Sequence, residues 1–363
     1  MKTTICAISL LSAAAAISLL QAETAYTDPV MAQSKSLPTG YSVVSINALN
    51  SIEASGVIDG LSVDGETTIL EVSSVPDDWS TNSFADPGNL AQFNFRNVPL
   101  YYVEITSAPE GGTSKVGQIL DVLATATGDP ATLTVGGDLS SIESSLVDQT
   151  FVIRKKRTLE DVFGRYNDVG LLGGLNPDEV DIIYNLYDGD FERVFMLSSG
   201  GVDYGWRIVG ELGTEVNDMC IDPDFGLMIY RRGTNDVELV TVGDVKLNTA
   251  RTTITPGYNA LTMKFPVGIT LEESELYKSN GTGILGGINQ DEVDLVYILS
   301  DGGAFLRYFY LTAGGVDYGW RQVGELGTDV SDLPIPAGSM IIVYRRGTTS
   351  VEWSLEQPFV LNN

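Results

Sequence analysis

Apolar and polar positions alternate with a period of two through most of this chain. Val180, Ile182, Tyr184 and Leu186 fall on one face of an extended segment, and Val293, Leu295, Tyr297 and Leu299 repeat the arrangement. Asp188-Gly189 and Asp301-Gly302 follow and predict hairpin turns, because glycine tolerates the positive φ such turns require. The return strands are 191–197 and 305–311. Two further strands surround Trp206-Arg207 and Tyr230-Arg231-Arg232 in the first series, and Trp320-Arg321 and Tyr344-Arg345-Arg346 in the second. The last strand is 237–242 or 351–356. Thr158-Leu159-Glu160-Asp161 reads as the capped start of a short helix, with Gly164 ending it. Each series predicts about five strands and one helical turn, a small barrel or sandwich.

The two series are one module written twice. Gly200-Gly201-Val202-Asp203-Tyr204-Gly205-Trp206-Arg207 recurs unchanged at Gly314-Gly315-Val316-Asp317-Tyr318-Gly319-Trp320-Arg321. Leu172-Gly173-Gly174 and Asp178-Glu179-Val180-Asp181 match Leu285-Gly286-Gly287 and Asp291-Glu292-Val293-Asp294. Agreement over a whole unit of this length points to duplication of a domain. Upstream, strand-like runs at 41–46, 68–72, 100–105, 131–135 and 150–153 alternate with Gly- and Ser-rich turns and predict a separate β domain. The expected fold is therefore mainly β: three small β-barrel or β-sandwich domains, the last two a tandem duplication. The boundaries read as 1–22 signal peptide, 23–38 flexible lead-in, 39–157 N-terminal β domain, 158–248 first repeat, 249–269 linker and first strand of the second repeat, and 270–363 second repeat.

The leader changes the compartment. Lys2, an apolar run from Ile5 to Leu20 and the small Ala22 have the layout of a secretory signal peptide, so the chain is expected to be exported to the periplasm, the cell surface or the medium. Cleavage after Ala22 removes Cys6 and leaves Cys220 as the sole cysteine of the two, so stability is expected to come from burial rather than a disulfide. After cleavage the sequence predicts no integral membrane segment, since no later run is long and apolar enough.

Charge and missing residue types narrow the chemistry. With 48 Asp and Glu against 21 Lys and Arg, the formal charge is −27. Such a field repels nucleic acid. The chain has no histidine, which removes the commonest general base and metal ligand. No nucleophile elbow or phosphate-cradling glycine loop occurs.

Three sets of residues kept in both copies are candidate sites. Tyr204 and Trp206 with Arg207, and Tyr318 and Trp320 with Arg321, read as flat stacking platforms with a bidentate cation. Arg231, Arg232, Arg345 and Arg346 read as members of structural ion pairs, with Asp203, Glu211, Asp317 and Glu325 as natural partners. Asp178 and Asp181, with Asp291 and Asp294, supply oxygen at alternating positions and suit Ca²⁺, although the run leads directly into a strand. No other cofactor is implied.

Tyr102-Val103-Glu104-Ile105-Thr106-Ser107, the Trp-Arg strand, the Tyr-Arg-Arg run and Gly257-Tyr258-Asn259 together resemble a family of secreted β-rich proteins from Verrucomicrobia-type bacteria. The resemblance implies export and a β fold and adds no site. The reading that follows is an exported, non-catalytic, multi-module β protein with a structural or interaction role in the cell envelope or outside the cell, its partners a polysaccharide, envelope proteins or a second copy of itself. The alternative is a carbohydrate-binding protein using the duplicated Tyr-x-Trp faces. A secreted glycosidase with a carboxylate pair is third.

Overall fold

The computed structural model describes residues 29–360 except 77–78, 86–97, 111–112, 188–189, 199–203 and 313–317. The predicted leader and the turn at Asp188-Gly189 lie outside the described residues. The fold is almost wholly β, in three units, and among the described residues no helix is long and apolar enough to cross a membrane.

The chain opens with β1 (Val30–Leu37) and β2 (Gly40–Val44). Next come β3 (Ile52–Asp64), β4 (Thr67–Ser73), β5 (Tyr101–Ile105), β6 (Ile119–Ala126), β7 (Ala131–Gly136) and β8 (Thr150–Lys155), which close into a six-stranded barrel in the order β3-β4-β7-β6-β5-β8. β5, β6 and β7 form a meander and β8 returns beside β5, the Greek-key order. Alternating inward residues fill the barrel: Leu70 and Val72, Leu133 and Val135, Phe151 and Ile153.

After the barrel, β9 (Arg157–Thr158) leads into α1 (Leu159–Phe163). There the Thr158 side chain accepts from the Asp161 N–H and the Asp161 carboxylate accepts from the Thr158 N–H, a capping box. β10 (Ile182–Tyr187), β11 (Asp190–Leu197), β12 (Gly205–Ile208), β13 (Cys220–Ile221), β14 (Leu227–Arg231) and β15 (Val237–Asp244) follow. The second copy runs from β16 (Ala250–Ile254) and β17 (Gly257–Thr262) through β18 (Ile269–Thr270), β19 (Leu295–Leu299), β20 (Phe305–Leu311), β21 (Gly319–Gln322), β22 (Pro334–Ile335) and β23 (Met340–Arg345) to β24 (Val351–Leu355). Its capping box recurs between Thr270 and Glu273, but closes a turn instead of a helix.

Strand pairing corrects three expectations. Residues 23–38 are not simply a flexible lead-in: β1 pairs antiparallel with β15 over eight positions, Val30 opposite Asp244 to Leu37 opposite Val237. The backbone ladder holds it there although its side chains are mostly small and polar. Residues 39–157 are not one domain. β2 pairs with β14, from Val44 opposite Leu227 to Gly40 opposite Arg231, as β17 pairs with β23 from Leu261 opposite Ile341 to Gly257 opposite Arg345. The first copy therefore starts at β1 and resumes at β9, and the barrel is inserted within it. Finally, each copy has nine described strands, not about five, built around sheets of matching order: β12-β11-β10-β14-β2 and β21-β20-β19-β23-β17.

One face of each sheet covers its own copy's core, around Trp206, Ile229 and Phe163 in the first and Trp320, Val343 and Phe265 in the second. The opposite faces meet. Val43, Leu186 and Met228 of the first copy pack with Ala260, Met340, Ile342 and Phe305 of the second. Backbone bonds cross at equivalent places, Ser45 N–H to Gly338 O at 3.0 Å and Thr262 N–H to Asp224 O at 3.2 Å. These reciprocal contacts relate the copies by an approximate two-fold, the isologous pattern of a homodimer made within one chain.

Candidate functional site

The residues singled out in the sequence are mostly drawn inward. Trp206 and Trp320 are each 1 % exposed, whereas Tyr204 and Tyr318 are 53 % and 65 % exposed. The Trp206 indole lies 5.7 Å from the Phe163 ring and donates to Gly164 O at 2.9 Å. The Tyr-x-Trp pairs thus form no common platform. The glycine between the two rings has φ of 153° in Gly205 and 143° in Gly319, which breaks the alternation that would place both on one face. Arg207 and Arg321 are buried as well. Their Nε atoms donate to Leu212 O at 3.1 Å and Leu326 O at 2.9 Å, and Arg321 pairs with Asp329 at 2.9 Å. They pin loops and are not presented to a ligand.

The calcium reading is corrected at Asp181 and Asp294, because protein donors already surround both carboxylates. Asp181 accepts from the backbone N–H of Leu172 (2.8 Å), Arg232 (2.6 Å) and Gly233 (2.9 Å), and from Arg231 Nε (3.3 Å). Asp294 accepts from Leu285, Arg346 and Gly347 N–H and from Arg345 Nη1 at 2.7 Å. Asp178 and Asp291 are exposed, and among the described residues no group of three or more Asp, Glu or Cys has a metal-holding geometry. Arg231 and Arg345 are therefore in buried ion pairs, and among the described residues their carboxylate partners are Asp181 and Asp294. Glu211 and Glu325 sit exposed on turns closed by their own N–H groups, onto Ile208 and Gln322 O. Asp203 and Asp317 lie outside the described residues.

A second concentration of charge joins the units. Lys246, from the segment after β15, bonds the buried Glu104 of the barrel, and Arg154 bridges Glu104 (3.9 Å) and Asp244 (2.8 Å). Burial opposes ionisation of Glu104, but Lys246 and Arg154 outweigh it and hold the carboxyl below its usual range. Lys156 pairs with Asp121 at 2.6 Å, and Lys264 of the second copy with Asp224 of the first. Beside them burial pushes the Cys220 thiol up to about 12, so at neutral pH it is a protonated, unreactive group. These charges face each other and act as a clasp.

What the fold does present outward is a set of tyrosines and arginines that the sequence does not bring together: Arg232 and Arg346, expected in ion pairs, lie over tyrosine rings instead. Tyr41 of β2 stands opposite Tyr230 of β14, ring centroids 4.6 Å apart. The Arg232 guanidinium lies 4.7 Å over the Tyr230 ring, and Tyr184 faces Arg193 in the register of β10 and β11. The second copy repeats every member. Tyr258 and Tyr344 are 4.6 Å apart, Arg346 lies 5.2 Å over Tyr344, and Tyr297 faces Arg307. Tyr41 is 39 % and Tyr258 50 % exposed, and Arg193 and Arg307 are exposed. The available signal was Gly40-Tyr41 and Gly257-Tyr258, each following a nearby proline, Pro38 or Pro256. The two do not read as a matched pair in the sequence, because Tyr41 lies before the barrel and Tyr258 after the first copy. Tyr184 and Tyr297 were legible in the strand alternation, but that pattern does not say which face of a sheet is left open.

Compared with known protein families, curated proteins and solved structures, the chain matches none of them.

Proposed function

We propose that this is an exported, non-catalytic interaction protein that uses its two outer Tyr/Arg faces to bind acidic polysaccharide. The observation that supports the reading is repetition of the whole constellation, Tyr41, Tyr184, Tyr230, Arg193 and Arg232 against Tyr258, Tyr297, Tyr344, Arg307 and Arg346, on the open part of both sheets. The Asp-Arg pairs and buried tryptophans kept in both copies have internal contacts instead. Tyrosine rings offer apolar faces to pyranose rings, and arginine forks match sugar carboxylates. Two such faces on one chain bind a polymer with avidity rather than with a deep site. In a chain of formal charge −27, local arginines are also what lets an anionic polymer approach.

The test is a thermal-shift and affinity-electrophoresis comparison of a polyuronate with a neutral glucan. The proposal expects the polyuronate to raise the melting temperature and retard migration, with loss of both effects in a Tyr41→Ala/Tyr258→Ala variant. Equal behaviour of that variant and the wild type would refute it.

A further inference from the structure

A cleft of about 580 Å³ lies where β1 and β2 of the first copy meet the β19–β20 turn and β22–β23 of the second, within the roughly 300–1,000 Å³ of small-ligand sites. Its apolar lining includes Val43, Leu299, Met340 and Ile341, and hydroxyls of Ser36, Thr39 and Ser300 line it too. Of the Tyr/Arg constellation only Tyr41 lines it.

Lys35 lines this cleft. The burial alternation of β1 turns Met31, Gln33, Lys35 and Leu37 to the less exposed side. The Lys35 ammonium donates to Gly338 O at 3.2 Å and Ser339 Oγ at 3.5 Å, both neutral. Among the described residues it has no carboxylate partner, and burial lowers its pKa with no acidic group offsetting the shift. The other strongly buried lysines differ: Lys156, Lys246 and Lys264 each hold an Asp or Glu. A half-buried ammonium without a counter-charge is costly, and in a chain with 48 acidic side chains the missing partner is conspicuous. Asp301, the acidic residue in the lining, forms no ion pair with it.

The site belongs to one copy. Lys35 lies opposite Leu239 in the β1–β15 ladder, and Thr252 lies opposite Trp353 in the matching β16–β24 ladder, so threonine replaces the lysine in the second copy. Unlike the Tyr/Arg faces, the ammonium is not part of what both copies share.

We infer that this cleft binds a small organic carboxylate, its anionic end on the Lys35 ammonium and its apolar body against Val43, Leu299 and Met340. A single charge with an apolar body fits better than a polyanion, because the cleft holds one cation, an apolar lining and Asp301.

The experiment is calorimetric titration and thermal shift of the full chain with hexanoate and phenylacetate, each beside its neutral amide. Lys35→Gln keeps a hydrogen-bonding side chain and removes the charge, and Lys35→Arg restores it. The inference expects at least one carboxylate to bind the wild type and Lys35→Arg, with affinity at least about tenfold weaker for Lys35→Gln and for the amide. Melting of each variant without ligand, at the wild-type temperature, shows that folding is intact. Failure of both carboxylates to bind the wild type would overturn it, as would undiminished binding by Lys35→Gln.

Discussion

Gly226 and Met340 hold equivalent positions in the two copies, and they meet each other. A Cβ placed on Gly226 would lie 2.6 Å from both Cβ and Cγ of Met340 and 2.9 Å from Val44 O. Where the approximate two-fold brings identical positions together, one copy supplies a large side chain and the other none. The copies have thus diverged into complementary halves of one interface, and two methionines would not fit.

Gly226→Ala is therefore expected to lower unfolding free energy by about 1–3 kcal/mol through overpacking, read by urea denaturation. Met340→Gly removes both the Cβ and the Cγ that the new methyl would strike, so the double variant should lose less than the sum of the two single losses. Two losses that simply add would show that the contact is not the cause.

Asp181 and Arg231 form a buried pair in which neither charge meets water, their side chains 0 % and 1 % exposed. Asp181→Ala strands the arginine and should cost about 3–5 kcal/mol. Asp181→Ala combined with Arg231→Met should cost less than Asp181→Ala alone, since no buried charge is then left unpaired. Asp294 and Arg345 should behave alike. Added Ca²⁺ should leave the melting temperature of the wild type unchanged.

The Cys220 thiol carries a pH prediction. Its folded pKa is raised from 9.0 to about 12, so the folded protein keeps the proton longer than the unfolded chain. Stability from this group is complete below pH 9 and falls as pH rises towards about 12, by about 1.4 kcal/mol per pH unit. Cys220→Ala should remove that component of the slope in alkaline denaturation curves. In the native protein at pH 8 the thiol should also resist alkylation and become labelled only on unfolding, as mass spectrometry would show.

Glu104 has the opposite sign. Lys246 and Arg154 hold its folded pKa below the ordinary 4.5, so its stabilisation is present above that value and lost as pH falls through the folded pKa. Glu104→Gln leaves Lys246 buried beside a neutral amide. Urea denaturation should show a large loss at neutral pH and a smaller difference from wild type in acid.

Period-two alternation made the core strands of both copies legible, and Thr158 with Asp161 announced the cap that is found. The interrupted first copy was not legible, because β2 finds its partner β14 beyond the whole barrel and β1 has little apolar character to mark it. β3 was hidden by Gly56 and Gly60 and by the irregular register between Ile58 and Gly60. At the candidate sites, retention in both copies identified residues that matter to the module without saying how. Trp206, Arg207 and Asp181 are kept for the interior, whereas Tyr41 and Tyr258 are kept on the open face. Only the pairing of strands distinguishes the two.

The most direct test of the outer faces as binding sites is the stoichiometry of an oligogalacturonate, too short to span both faces, measured by isothermal titration. The account predicts two equivalents per wild-type chain, one in Tyr41→Ala or in Tyr258→Ala, and none in the double variant. A double variant that still binds two, or a wild type that binds none, would contradict it.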